Sequence, residues 1–480
     1  MRGASCRLGW VDPMLEALSR RVHDELALFE YPLKDWVVPV RGPAGEYVHN
    51  VVIVGGGQTG LGTAFGLQRE RISGVTVLDA APEGAEGPWV TFARMITLRT
   101  LKFLTGPDLG VPSLTFRAWH EAQYGRQSWA DLVRIHKDEW MRYLTWYRET
   151  LRLPVRNNVR LARIEPQGEL LALCLETPAG SEIALTRKLV LATGIEGAGQ
   201  RRIPGFIRDN LPRDAWAHTS DPIDFAALAS RRVAVLGGGA SAFDNAATAL
   251  EQGAAWVDIF IRRPSLPVVN SYRALESAGY WRNFGDLDDA LRWRFMRHLL
   301  SLPMPPPQDT LERTLRHPNV TVHYGSPVLD AAPGIRLRTP SGWHETNFVI
   351  LGTGFSVDLR TRPEFAAIAD AVATWGDRYT PPETEANAAA ALYPYVGLGF
   401  ELVEKPPGRM PALRNIHLFN AGSLVSMGPV AGGLNGMPFG LPRLIAGLSR
   451  DFFRARAETL YQEFSTYDEP DAWEAVRAAD

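Results

Sequence analysis

The same short glycine-rich pattern occurs twice in the chain: VVIVGGGQTG begins at Val51, and VAVLGGGASA begins at Val233. Each copy is a run of aliphatic residues that ends in glycines and continues into a segment of helical character. This order predicts a strand, a tight turn and a helix, which is how a dinucleotide-binding βαβ unit begins. A chain with two such starts is expected to fold into two nucleotide-binding domains.

The glycines of both copies fit the fingerprint G-x-G-x-x-G, with alanine in the last place of the second copy. They are Gly55, Gly57 and Gly60 in the first copy, and Gly237, Gly239 and Ala242 in the second. The first position allows the turn, the second lets a pyrophosphate approach the backbone, and the third lets helix and strand pack closely. Ser241 is a further candidate for contact with the nucleotide. For either copy alone, a tight turn in another kind of α/β protein is the alternative.

Charged residues follow the second apolar run of each unit, where the ribose of a bound nucleotide is expected. Asp79 ends the run VTVLD, close to the spacing of about 20 residues at which an acid hydrogen-bonds an unphosphorylated ribose. Arg262 and Arg263 follow the corresponding run of the second copy, where guanidinium groups can bind a 2′-phosphate. The second site therefore favours NADP. The alternatives are a plain turn residue for Asp79 and a solvated strand end for the arginines.

The repeat extends to the end of each unit. LETPAGSEIALTRKLVLATG ends at Gly194, and LRTPSGWHETNFVILGTG ends at Gly354. Both predict a hairpin with a TPxG turn, followed by an apolar strand that returns under the cofactor and ends in Thr-Gly. Gly194 and Gly354 are therefore candidates for close approach to a nucleotide.

With these paired motifs, the chain resembles the FAD- and NADPH-dependent class B monooxygenases, which comprise flavin-containing monooxygenases, Baeyer-Villiger monooxygenases and N-hydroxylases of amines or amino acids. The resemblance spans roughly Val51 to Leu448. It implies an α/β fold of two nested Rossmann-like domains, with FAD on the first glycine motif and NADPH on the second. It also implies the family's reaction, in which NADPH reduces the flavin, oxygen adds at C4a, and NADP stays bound until the peroxide meets its substrate.

Three further positions follow from the resemblance. Trp89 stands in the family's Gly-Gly-x-Trp turn, which places an indole near the flavin. His218 occupies the place of the fingerprint histidine between the two nucleotide motifs, although the Phe-x-Gly half of that fingerprint is missing; a linker histidine satisfied by a backbone carbonyl is the alternative. Asn435, in a glycine-rich stretch before a helix at about Leu441, is expected where the family closes over the flavin.

The chain departs from the family at the asparagine that lies near the flavin in flavin-containing monooxygenases. The stretch LRTLK places Leu101 at that position. Lys102, or secondly Arg99, is the predicted replacement, because a fixed cation beside a developing peroxide anion acts as an oxyanion hole does. The alternative is that both are ordinary surface charges.

Composition excludes several other classes of protein. The formal net charge of −2 gives no basic surface for nucleic acid or anionic lipid, and no segment has the apolar length of a signal peptide core or a membrane span. Cys6 and Cys174 are the two cysteines, so the chain has no CxxC pair for flavin-to-disulfide electron transfer, and a reducing cytoplasm is the expected location. No metal site is predicted.

The domain boundaries follow from the motifs. We predict an N-terminal helical lead-in over residues 1–46 that packs on the FAD domain, and a first part of the FAD domain over 47–210. The NADPH domain is predicted over 211–347, with a helical insertion at 272–307, and the second part of the FAD domain with a C-terminal helix over 348–480. The insertion, rich in aromatic residues and arginine, is read either as a cover over the cleft or as an oligomer contact.

The predicted function is an NADPH-dependent flavoprotein monooxygenase that oxygenates a heteroatom of a small molecule, with an amine nitrogen preferred because the Baeyer-Villiger fingerprint is poorly matched. Ketone oxygenation is the first alternative. A flavin-bearing NADPH oxidase or sensor that oxygenates no substrate is the second. The expected partners are molecular oxygen, a small-molecule substrate and, in one reading of the insertion, further copies of the chain.

Overall fold

The computed structural model describes residues 13–29, 34–103 and 106–469. The strands are β1 Val48–Val54, β2 Val75–Leu78, β3 Val155–Arg156, β4 Arg160–Gln167, β5 Leu170–Thr177, β6 Gly180–Leu191, β7 Gly199–Arg201, β8 Trp216–His218, β9 Arg232–Leu236, β10 Trp256–Phe260, β11 Val320–His323, β12 Asp330–Ala332, β13 Arg336–Thr339, β14 Gly342–Glu345, β15 Phe348–Leu351, β16 Phe355–Val357 and β17 Ile416–His417. The helices are α1 Pro13–Leu28, α2 Gln58–Arg69, α3 Phe116–Asp131, α4 Lys137–Thr150, α5 Gly205–Asn210, α6 Ala240–Glu251, α7 Ala278–Asn283, α8 Asp289–Ser301, α9 Gln308–Leu315, α10 Trp375–Arg378, α11 Ala388–Ala391, α12 Leu424–Met427 and α13 Met437–Ser465. Within the described ranges, no helix combines the length and the apolar character that crossing a bilayer requires.

The first sheet has the strand order β3-β2-β1-β6-β5-β4, with β17 also paired to β6. β1 runs parallel to β2 and β6, whereas β5 and β6 form the antiparallel hairpin predicted from the first TPxG turn. Val51, Val52 and Ile53 of β1 are fully buried, as expected for a central parallel strand that is covered on both faces. The first glycine loop, residues 55–57, therefore lies at the carboxyl end of a central strand, where open α/β sheets bind ligands.

The second sheet repeats this design with the all-parallel order β11-β10-β9-β15-β8. Its glycine loop, residues 237–239, joins β9 to α6 as the first loop joins β1 to α2. The predicted second hairpin is formed by β13 and β14, and β15 follows it to pair with β9. The prediction of two nested Rossmann-like units in an α/β fold is confirmed.

The second domain extends further along the chain than the motifs indicated. The predicted boundary at residue 347 falls just before β15, whose Ile350 pairs with Val235 in the middle of the second sheet. The second domain thus includes residues 348–351, because the strand that ends in Thr-Gly completes its sheet. β7 then pairs with β16 to link the domains, and β17 returns to the first sheet.

The predicted lead-in helix is α1, and it packs on the first domain as expected. Leu18 and Val22 are buried in the main core, and Ser19 bonds to Thr150 at the end of α4. The apolar stripe of α4 is also core, with Trp140 and Tyr147 fully buried. Residues 1–12, including Cys6, lie outside the described residues, as do residues 470–480.

The aromatic side chains of the insertion are largely used inside the chain. Trp281 joins the main core, and Trp293 lies against Trp375 with the ring centroids 6.0 Å apart. α7 contacts α13, and α8 contacts α12, so the insertion packs on the second part of the first domain. Its role as a cover or as an oligomer contact stays a prediction.

Candidate active site

The first glycine loop has the geometry that a dinucleotide site requires. Gly55 has a φ of +107°, and a side chain there would collide with the carbonyl oxygen of Ala192; a side chain at Gly60 would collide with the carbonyl of Gly55. Gly57 differs, because the nearest atom to a Cβ at this position is the Cα of Gly87 at 3.9 Å. The loop is thus packed tightly at its first and third glycines and open at the second, which is where a pyrophosphate approaches.

Asp79 closes this site from the end of β2. Its Oδ2 accepts a hydrogen bond from the Gly56 N–H at 2.6 Å, and its Oδ1 accepts one from the Ala81 N–H at 2.7 Å. Burial raises the pKa of this carboxyl, and the two N–H groups oppose that shift. Because a carboxylate offers about four lone-pair sites, two remain for ribose hydroxyls.

The second glycine loop has the same division of roles. Gly237 has a φ of +140°, and a side chain there would collide with the carbonyl oxygen of Gly352, while the methyl group of Ala242 already packs against Gly352. A Cβ at Gly239 would meet nothing within 4 Å. Alanine is therefore accommodated at the third position of this copy, because Gly352, which directly follows β15, leaves space for its methyl group.

A cavity of about 460 Å³ opens beside this loop. Arg262 and Arg263, which follow β10, lie in its wall together with Gly237, Gly239 and Thr353. Arg202 lies in the same wall and was not identified from the sequence. We name it the arginine cavity. Its three arginines beside one glycine loop agree with the predicted site for a phosphorylated nucleotide, and that role stays a prediction.

A second opening, of about 420 Å³, lies between the two domains and is called the cleft here. Its lining includes Gln58 at the start of α2 and Ser241 near the start of α6, so both glycine-loop helices reach it. The remaining wall is formed by residues 88–89, 92–95, 98–100, 195, 219–220, 244–245, 355 and 432–434. The cleft is therefore the place where two nucleotides bound to the two loops would meet.

Arg99 is the predicted catalytic residue that lines the cleft. Its guanidinium Nη2 donates to Asp244 Oδ2 on α6 at 3.2 Å, and its side chain is 46% exposed against 3% for Asp244. Burial raises the pKa of Asp244, and Arg99 opposes that shift. A half-exposed cation is thus held in the cleft by a buried anion of the other domain.

Lys102 does not enter the cleft. Its Nζ donates to the backbone carbonyls of Trp129 at 2.6 Å and Ala130 at 3.1 Å, and only 8% of the residue is exposed. The ammonium also lies 5.0 Å from the centroid of the Trp129 ring. Leu101, by contrast, is half exposed. A catalytic role for Lys102 stays a prediction, and these contacts do not support it.

His218 also lies behind the cleft wall rather than in it. Its Nδ1 lies 2.8 Å from Ser220 Oγ, and its Nε2 lies 3.1 Å from the carbonyl oxygen of Gly354. The residue is fully buried, and burial lowers its pKa. These contacts match the alternative of a linker histidine bonded to a backbone carbonyl, while its neighbours Thr219 and Ser220 line the cleft.

The other predicted cofactor residues lie at or near the cleft. Trp89 lines it, and its buried Nε1 has no hydrogen-bond partner within the described part of the chain. Asn435 is half-buried beside Leu434, and α13 begins at Met437, earlier than the predicted Leu441. Gly194 and Gly354 have φ values of +67° and +76°, which favour glycine.

Sequence reasoning missed several lining residues of the cleft. Arg94, Asn245 and Phe355 belong to no motif. Asn245 Nδ2 donates to the Ser241 carbonyl at 2.8 Å, and its buried Oδ1 has no partner among the residues described. The guanidinium of Arg94 lies 5.2 Å from the Phe225 ring centroid, and burial lowers its pKa. In the sequence, the one feature that could have identified Arg94 is its position five residues before Arg99.

Comparison with known proteins agrees with this geometry. The sequence profile of the family described as pyridine nucleotide-disulphide oxidoreductase matches residues 52–273. A protein of Xanthomonas campestris pv. campestris named FAD-dependent urate hydroxylase is 44% identical over 458 residues, which cover 95% of this chain and 96% of that protein. The chain belongs to the same family as this FAD-dependent hydroxylase, and its two glycine loops agree with the class B monooxygenases that it resembles.

Solved structures share the fold of this monooxygenase. The reduced form of ornithine hydroxylase from Pseudomonas aeruginosa has a TM-score of 0.66 at 19% identity, over 84% of this chain and 99% of that chain. The ornithine N-hydroxylase of Kutzneria sp. 744, whose structure holds reduced FAD, NADP+ and L-ornithine, has a TM-score of 0.64 at 14% identity, over 84% and 99%. At these identities the likeness shows the fold alone.

The disulphide in the profile's description does not extend to the chemistry of this monooxygenase. The profile covers residues 52–273, which include both glycine loops, and Cys174 is a free cysteine on β5. Cys6 and Cys174 are too far apart in sequence to form a CxxC motif. The enzyme is an FAD-dependent flavoprotein oxidoreductase, and NADPH as its second cofactor stays a prediction.

The residues present fit both cofactors. The open second glycine and Asp79 would hold the FAD pyrophosphate and ribose, and Trp89 lines the cleft beside them. The arginine cavity would hold the 2′-phosphate of NADPH beside Gly239. The assignment of these individual residues to the cofactors stays a prediction.

Proposed function

We propose that this monooxygenase places one oxygen atom on a planar, anionic heterocycle of the purine type, with urate as the leading candidate. The observation that carries the proposal is the charge of the cleft. Arg94 and Arg99 line it, and Asp244 is the one carboxylate among its described lining residues. That carboxylate is buried and already bonded to Arg99, so the cleft presents net positive charge.

The shape and polarity of the lining support the same class of substrate. Guanidinium groups bind delocalised planar anions such as the urate monoanion, which predominates near neutral pH. Trp89, Phe92 and Phe355 provide aromatic surfaces for a flat ring. The 44% identical relative named for urate is independent support. A protonated alkylamine would meet the two cations without a free carboxylate to bind it.

The chain's own residues would bind and orient the reactants. When bound, FAD supplies hydride acceptance from NADPH and activation of oxygen. Arg99 would hold the anionic edge of the substrate, and the aromatic side chains would exclude water from the cleft. The overall reaction consumes NADPH, oxygen and a proton, adds one oxygen atom to the substrate and releases the other as water.

The test measures NADPH oxidation, product mass and peroxide together, with purified FAD-loaded enzyme under ¹⁸O₂. We expect urate to stimulate NADPH oxidation and to yield a product that carries one labelled oxygen. Amines, sulfides and ketones run in parallel, because oxygenation of an amine nitrogen or a ketone stays a sequence-based prediction. Labelled product from an amine alone contradicts the urate proposal, and peroxide alone with every compound supports the oxidase.

A charge variant tests the role of the cleft. Arg99→Gln should raise the KM for urate about 10- to 100-fold, because it removes a charge-assisted contact. Arg126→Gln is the matched control, since that arginine is exposed on α3 outside the cleft. Equal KM values for the two variants would show that Arg99 does not recognise the anion. Cytoplasmic location and homo-oligomer formation remain expectations that localisation and size-exclusion measurements would check.

A further inference from the structure

A buried carboxylate in the cleft wall, that of Asp244, joins the two domains. Asp244 lies on α6, one turn beyond the second glycine loop, and its Oδ2 accepts from Arg99 Nη2 of the first domain at 3.2 Å. Its Oδ1 accepts from Thr310 Oγ1 on α9 at 3.0 Å. The side chain is 3% exposed, so the carboxylate is held by its protein partners rather than by solvent.

The loop that carries Arg99 is bound to the second domain at two more points. Arg313 of α9 donates from Nη1 to the carbonyl oxygen of Arg94 at 2.8 Å. Thr97 Oγ1 donates to Asp309 Oδ2 at 3.1 Å. The segment 94–99 of the first domain is therefore fixed by α6 and α9 of the NADPH domain.

The two members of the Arg99–Asp244 pair differ in exposure, because the carboxylate is buried and the guanidinium is half exposed. This difference suits ligand binding by Arg99. The guanidinium of Arg99 has five N–H donors. Among the residues that the structure describes, Asp244 is the one that accepts a hydrogen bond from it. The other donors belong to a side chain that is about half exposed in the cleft. A rigid buried acceptor thus fixes the guanidinium plane and leaves its free edge for an anion.

We propose that Asp244 is a positioning residue that presents Arg99 to an anionic substrate, and that it thereby makes substrate recognition depend on the NADPH domain. The dependence arises because α6 begins at the loop that would bind the NADPH pyrophosphate. A nucleotide that orders this loop also orders the carboxylate one turn further on. This inference rests on the proposed function, since it assigns the anion to the same cleft.

The experiment compares Asp244→Asn with Asp258→Asn in the FAD-loaded enzyme. Asp258 is a matched control, because it is 7% exposed, bonds to the half-exposed Arg232 at 2.9 Å and lies in the same domain outside the cleft. Asp244→Asn should raise the KM for urate about tenfold with a smaller change in kcat, and Asp258→Asn should leave both unchanged. Binding of urate to the oxidised enzyme, followed by flavin absorbance, should tighten at least about fivefold with NADP+ in the wild type and not in Asp244→Asn.

A double-mutant cycle decides whether Asp244 acts through Arg99. In the Arg99→Gln background, Asp244→Asn should have no further effect on the KM for urate. Thr310→Val serves as the test if Asp244→Asn does not fold. It removes the hydrogen bond to Asp244 Oδ1 and should raise the KM for urate about threefold. Additive effects in the cycle, or equal effects of the two aspartate variants, would overturn the inference while the urate activity stands. If the wild type neither binds nor oxidises urate, both this inference and the proposed function fall.

Discussion

The carboxylate of Asp79 accepts a hydrogen bond of 2.6 Å from the backbone N–H of Gly56. This bond joins the residue that follows β2 to the loop that follows β1, so the two parts of the first nucleotide motif form one structure. Gly56 stands between Gly55, which is fixed by packing, and Gly57, which borders open space. The structural and the cofactor-binding glycines can therefore be separated by experiment.

Gly57→Val should give a folded protein without FAD. The backbone at Gly57 has φ −72° and ψ −174°, which valine adopts without strain, and its nearest neighbour would be 3.9 Å from the new Cβ. The added methyl groups would fill the path of the pyrophosphate. Flavin absorbance per protein should fall to the background, while the melting temperature should match that of wild-type apoprotein.

Two other glycine variants are the controls for this prediction. Gly60→Val should prevent folding, because its side chain would collide with the Gly55 carbonyl. Gly239→Val should retain FAD but lose flavin reduction by NADPH, since that glycine belongs to the second loop. Full flavin content in Gly57→Val would show that the first loop does not hold FAD.

The arginine cavity should determine the preference for NADPH over NADH. We expect Arg202→Ala, Arg262→Ala and Arg263→Ala each to weaken binding of 2′,5′-ADP about 10- to 100-fold, and to leave binding of 5′-AMP nearly unchanged, because charge-assisted contacts contribute about 1.5 to 3 kcal/mol. Calorimetric titration measures this without turnover. Arg208→Ala is the control, since Arg208 is exposed on α5 and pairs with Asp209. Parallel losses for both nucleotides would mean that the arginines only support the fold.

The sequence predicted the parts of this site that local spacing determines. A glycine loop between a strand and a helix, and a charge after the next strand, depend on neighbouring residues, so Gly55, Gly57, Asp79 and Arg262 could be found without a structure. Arg202 could not, because it reaches the arginine cavity from the segment before α5 only after both sheets have formed. The boundary at 347 failed for a related reason, since strand pairing rather than composition decides that β15 belongs to the second sheet.

The same limit applies to the orientation of charged side chains. Arg99 and Lys102 are close in sequence and equally cationic, yet Arg99 reaches Asp244 in the cleft and Lys102 reaches carbonyls at the end of α3. Those partners are distant in sequence, and the spacing of residues in the chain does not predict them. The sequence predicted both cations as candidates, and the packing places Arg99 in the cleft and Lys102 outside it.

Protonation of His417 should destabilise the protein as the pH falls below about 6.5. Burial, together with the nearby Lys188 ammonium, lowers the pKa of His417 to about 3. Its Nδ1 bonds to the Gly399 carbonyl at 2.7 Å, and its buried Nε2 has no partner in the described chain. Because the unfolded chain takes up the proton near its ordinary pKa, stability from this site is complete above pH 6.5 and declines towards pH 3.

The size of this effect follows from one proton. The wild type should lose up to about 1.4 kcal/mol of unfolding free energy per pH unit in this window relative to His417→Gln, whose amide can still donate to Gly399. Urea unfolding of both proteins from pH 7 to pH 4.5 measures the difference. Parallel curves for the two proteins would show that His417 titrates normally in the folded state.

Lys102→Met tests whether this lysine supports the fold or the reaction. Methionine keeps the apolar stem against Trp129 but removes the ammonium that donates to the Trp129 and Ala130 carbonyls. Loss of these charge-assisted bonds, with two carbonyls left without their donor, should lower the unfolding free energy by about 2 kcal/mol. At a temperature where the variant is folded, kcat and the ratio of product to NADPH consumed should equal those of the wild type, because the ammonium lies outside the cleft.

Lys405→Met is the control for this prediction. Lys405 is partly exposed and paired with Asp377, so its replacement should change the unfolding free energy by about 0.5 kcal/mol or less. Unchanged stability of Lys102→Met together with a rise in released peroxide would instead favour the catalytic role predicted from the sequence, since loss of a cation needed at the active site would uncouple NADPH oxidation from product formation.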